Sequence, residues 1–97
     1  MNPYIKHFRT HTGDIVEGAK LRRALNRVAK FYRENAQAIY DEDCYASHVT
    51  QQTKDEILAR DLAAAEEIKK GRVDSFAVAQ RLNTELTGEC VALLGGV

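Results

Sequence analysis

Tryptophan is absent, methionine and proline occur once each, and glycine supplies six of 97 residues. With Pro3 the only proline and glycines so sparse, little interrupts long helices. Two cysteines, Cys44 and Cys90, are too few for a disulfide framework, so the sequence predicts an intracellular protein with reduced thiols. No apolar run reaches the roughly eighteen residues that a membrane-spanning helix needs, and no membrane partner is expected. The opening MNPYIKHFRT carries charges where a signal peptide requires an apolar stretch, which predicts a cytoplasmic location.

What is present is an ordinary globular balance, 44% apolar and 29% charged, that sets the chain apart from disordered sequences. A chain of this size is expected to form a single helical domain over 1–97, burying roughly 60–70% of its unfolded surface. The formal net charge is zero, yet the charges are segregated. Residues 1–33 hold eight cations against Asp14 and Glu17, whereas residues 34–67 hold nine acids against Lys54 and Arg60. Such blocks point to a charged interaction surface, or to elements that neutralise one another.

Periodicity predicts an all-α fold, a small three- to four-helix bundle. A long first helix is expected over about residues 14–40. Asp14 and Glu17 would form its capping box, and Leu21, Leu25, Val28, Tyr32, Ala36 and Ile39 its apolar face. A second helix, about 53–70, starts at a capping box from Thr53 to Glu56 and ends at Lys69-Lys70-Gly71. There cations suit the negative end of the helix dipole and glycine suits a left-handed cap. Asp74 or Ser75 caps a third helix over about 75–87 with Gly88 as its stop, followed by a short apolar C-terminal turn. Residues 1–12 read as a flexible or irregular arm.

The stretch HFRTHTGD, residues 7 to 14, resembles the end of a C2H2 zinc finger and its linker. A finger needs two thiolates about a dozen residues upstream of its histidines, and no cysteine precedes His7. The resemblance covers eight residues and half of the ligands, so a finger is not expected. One other metal set is available, the pairs His7 with His11 and Cys44 with His48, each four apart. Neither pair falls on a predicted helix, and the reading is no metal and no cofactor. Residues 74–96 outline a helix-turn-helix, but the would-be recognition helix is apolar and carries no Arg, Lys, Asn or Gln to read bases.

Catalysis finds no support either. Cys44 near His48 would pair a nucleophile with a base, but Asp41, Glu42 and Asp43 just upstream disfavour a thiolate. Phosphate-loop, serine-elbow and metalloprotease motifs are missing. The sequence therefore predicts a non-enzymatic protein.

The most pronounced chemical feature is on the first helix. Its apolar set spans about 220° to 300° of helical azimuth, while Lys20, Arg22, Arg23, Arg27, Lys30 and Arg33 span about 340° to 140° on the opposite side. Such a stripe suits an acidic partner or a phosphate backbone. Pairing with acids of the second helix, such as Asp55, Asp61 and Glu66, would instead absorb it. The reading is a regulator, adaptor or inhibitor that binds another macromolecule, first a protein, with Phe31 and Tyr45 as candidate anchors. The alternative is a nucleic-acid-binding regulator that uses the stripe. A homodimer is a further expectation, because Val16, Ala24 and Phe31 extend beyond one apolar face.

Overall fold

The computed structural model describes residues 2–89. Two short strands, β1 (His7–Arg9) and β2 (Ile15–Glu17), precede three helices, α1 (Gly18–Asp41), α2 (Gln51–Lys70) and α3 (Phe76–Thr87). The architecture is a small helical bundle carrying a β-hairpin. α1 is the central element and packs against both other helices. Arg22 and Arg23 lie beside Lys69 and Lys70 while Tyr40 bonds to Asp55, and Arg27 meets Glu85 while Phe31 meets Arg81, so both neighbours run antiparallel to α1.

The first helix begins later than its sequence suggests. Asp14 and Glu17 form no capping box: Glu17 is extended at φ −149°, with no side-chain cap bond, and still belongs to β2. Gly18 at φ +64° makes the junction, a backbone conformation that costs little without a Cβ. Upstream, the Gly13 N–H donates to the Thr10 carbonyl at 3.0 Å, and Gly13 takes φ +90° in the turn. The strands pair antiparallel, with Phe8 opposite Val16 and Arg9 opposite Ile15. β-branched Ile15 and Val16 suit a strand, and Val16 is buried against the bundle. The expected irregular arm thus contains β1.

The arm is tied down further upstream as well. The Ile5 N–H donates to the Gly71 carbonyl at 2.9 Å, and the Tyr4 hydroxyl donates to a Glu67 carboxylate at 2.6 Å.

α2 starts at Gln51, not Thr53. Thr50 is the N-cap and accepts from the Thr53 N–H at 3.2 Å, so Thr53 lies inside the first turn. Its C-terminal end is as expected, with Lys69 and Lys70 in the last turn and Gly71 left-handed at φ +112°. Ser75 caps α3 by accepting from the Val78 N–H, and Gly88 closes it at φ +74°. The expected apolar C-terminal turn lies outside the described residues.

The core gathers Leu21, Leu25, Val28 and Ala29 of α1, Ile68 of α2, Val78 and Leu82 of α3, and Val16 of the hairpin. Ala24 is also fully buried. Two of the three apolar positions that seemed surplus, Val16 and Ala24, are therefore consumed within the chain, and only Phe31 stays exposed. Of the three, Phe31 alone is left on the surface for the expected homodimer seam. No helix among the described residues is long and apolar enough to cross a membrane.

Candidate functional site

The helical period places the six cations of α1 on one arc, and all six are exposed. The fold then divides them. Lys20 lines a cleft of about 540 Å³ beside Asp14, Glu17 and Glu89, an acidic setting. Arg27 Nε donates to Glu85 of α3 at 2.9 Å. Lys30 lies 3.8 Å from Glu34 one turn on, a weak exposed pair. The pairing expected with acids of α2 does not form: the cross-helix ion pair made by this arc goes to α3. Asp55 instead accepts from Tyr40 and Gln51, which hold its carboxyl below the usual carboxylate range.

Arg22, Arg23 and Arg33 have no carboxylate within ion-pair distance among the described residues. Arg22 and Arg23 line an open cleft of about 570 Å³ between the start of α1 and the end of α2, with Ala19, Asn26, Glu66, Lys69 and Lys70. By sequence Lys69 and Lys70 are the C-terminal dipole partners of their own helix. Antiparallel packing turns them into neighbours of the α1 arginines.

On the other flank of α1, Phe31 is 41% exposed and Phe76 is 49% exposed. The Arg81 guanidinium carbon lies 3.9 Å from the Phe31 ring centroid, and Tyr32 meets the same ring edge-on. Arg81 and Phe76 line one shallow groove with Tyr32, Ala77, Gln80 and Thr84. This second surface is an aromatic and arginine patch, with Glu85 of α3 3.9 Å from Arg81 and 2.9 Å from Arg27. The spacing of Phe76 with Ala79, Leu82 and Leu86 predicts an inward side chain, but Phe76 opens the first turn of α3 and stays exposed.

Tyr45, the other candidate anchor, sits half-buried in the α1–α2 connection with the Lys54 ammonium 5.8 Å from its ring centroid. Burial, then the negative charges of Asp61 and Asp43, raises its phenol above the ordinary value. Lys54 is also bound to Asp43 at 2.6 Å, so Tyr45 packs the loop more than it offers a free anchor.

The histidine and cysteine pairs are not brought together. His7 and His11 belong to the hairpin at the start of α1, whereas Cys44 and His48 follow its end, about 35 Å away by helical rise. No group of three or more potential ligands clusters among the described residues. Cys44 and His48 are both exposed in the connecting loop. His11 has a structural setting of its own, between Asn83 and Glu89. Comparisons with protein-family models, with curated proteins and with solved structures return no match to this chain.

Proposed function

We propose that this is a small, non-enzymatic helical protein that acts by binding another macromolecule, and that its partner is a protein met at the α1–α3 face. One observation carries the reading: Phe31 and Phe76 remain exposed, with Arg81 stacked on Phe31. Protein interfaces are enriched in aromatic residues and arginine at their centres, where a few residues supply most of the affinity. Stacking on the ring holds Arg81 in place, so less side-chain freedom is lost on association.

The test is cross-linking in cell extract by wild type and by a Phe31→Ser/Phe76→Ser variant with a native circular dichroism spectrum. A protein captured by wild type and lost in the double variant supports the reading. Equal capture by both removes this face from consideration.

A second reading, a nucleic-acid-binding regulator, is favoured by a different observation: Arg22, Arg23 and Arg33 on the exposed arc of α1 have no ion-pair partner among the described residues. The balanced net charge weighs against it, since dedicated nucleic-acid binders are usually basic.

A further inference from the structure

We infer that the cleft between the start of α1 and the end of α2 is a phosphate-binding site for a nucleic-acid backbone. The inference rests on the nucleic-acid reading but relocates it. The contacts run across two helices through Arg22, Arg23, Lys69 and Lys70, instead of along α1 alone.

Charge decides the sign of the cleft. Glu66 contributes one carboxylate, and the C-terminal end of α2 contributes about half a unit of negative charge from its free carbonyls. Four full cations outweigh both. The carbonyls are also partly satisfied, because the Gly71 N–H donates to Ile68 and the Arg72 N–H to Glu67. None of the four cations has a carboxylate within ion-pair distance among the described residues. In an isolated protein four neighbouring cations repel one another, and an anion in the cleft removes that repulsion.

Geometry favours a chain of phosphates over a single one. Arg22 to Asn26 covers about 6 Å of helix axis, a rise over which a duplex aligned with α1 presents roughly two phosphates per strand. Asn26 adds a neutral amide donor beside the arginines. Further along the same arc, Arg33 shares the azimuth of Arg22 to within about 20°, and Lys30 lies between Asn26 and Arg27. A backbone seated in the cleft would continue past these two. An isolated phosphate would not reach them.

The experiment measures fluorescence anisotropy of labelled duplex DNA against the full chain, from low to near-physiological salt. Wild type is compared with Lys69→Gln/Lys70→Gln and with Lys30→Gln/Arg33→Gln. Glutamine keeps the helix propensity of lysine and arginine, and circular dichroism verifies the fold. The expected result is binding by wild type, with the log–log salt slope of Lys69→Gln/Lys70→Gln shallower by about 2. An unchanged slope in that variant, with loss in Lys30→Gln/Arg33→Gln, overturns the cleft while the nucleic-acid reading stands. Absence of wild-type binding at low salt overturns both. Displacement of the DNA by inorganic phosphate at matched ionic strength makes a free phosphate the ligand and overturns the backbone assignment.

Discussion

Asn83 and His11, 72 residues apart, close a hydrogen-bonded contact in the interior of the molecule. Asn83 is 0% exposed, and its Oδ1 accepts from the His11 main-chain N–H at 2.8 Å. Its Nδ2 lies 2.9 Å from His11 Nδ1, while His11 Nε2 lies 2.7 Å from Glu89 Oε2. One assignment satisfies every group: Nδ1 accepts from Asn83, and Nε2 carries the proton and donates to Glu89. The contact fastens the hairpin loop to α3. Asn83→Ala would strand a main-chain N–H away from water, and a cost of roughly 1–3 kcal/mol is expected. Urea unfolding checks it, and an unchanged midpoint would show that solvent replaces the amide.

Gly71 meets the N-terminal arm closely enough to be sensitive to a single methyl. A Cβ there would stand 3.2 Å from the Ile5 carbonyl oxygen and 3.4 Å from the Ile5 nitrogen, both main-chain atoms. The residue also holds φ +112°, which L side chains rarely adopt. Gly71→Ala is expected to cost about 1–3 kcal/mol from backbone strain alone. Faster hydrogen exchange at the Ile5 amide should accompany the loss, because that N–H donates to Gly71. Unaltered exchange would place the strain elsewhere.

Beside Tyr45, whose phenol is raised chiefly by burial, two hydrogen-bonded phenols link stability to alkaline pH. The bond from Tyr4 to Glu67, followed by burial, raises the Tyr4 phenol above its ordinary value, and the bond to Asp55 does the same for Tyr40. Between the ordinary and the raised values the folded state holds more protons than the unfolded state. The contribution of these groups is therefore complete below about pH 10 and is lost as pH rises through the raised values. Tyr4→Phe/Tyr40→Phe should flatten the fall in melting temperature above pH 10 relative to wild type. Asp55, lowered by its bonds from Tyr40 and Gln51, works in the opposite direction. Its contribution is present above about pH 4 and lost as pH falls through the depressed value. Parallel alkaline curves for wild type and variant would rule out the phenol linkage.

Much of the helical frame is legible from residue to residue. The end of α2 at Lys69-Lys70-Gly71, the Ser75 cap and the apolar face from Leu21 to Ala36 are local signals, each with a local physical cause. The hairpin is different. Its strands are three residues each, too short to display alternation, and a short hairpin is marginal by itself. Val16 packing into the core, with Phe8 half-buried against it, selects strand over helix for Ile15–Glu17. The capping-box pattern from Asp14 to Glu17 was a true local signal that lost to this burial.

By itself the sequence determined three amphipathic helices, their stops, and the segregation of cation from acid, because periodicity, caps and charge are written within one or two turns. Only the tertiary structure decided which charges meet. Arg22 and Arg23 face Lys69 and Lys70 because α1 and α2 run antiparallel, and Arg27 reaches Glu85 because α3 packs on the other flank. It likewise made Asn83 a buried partner of His11, a role no local pattern announces for a polar residue beside Leu82. Contacts between residues distant in sequence depend on packing register, and register is set by the shape of the shared core.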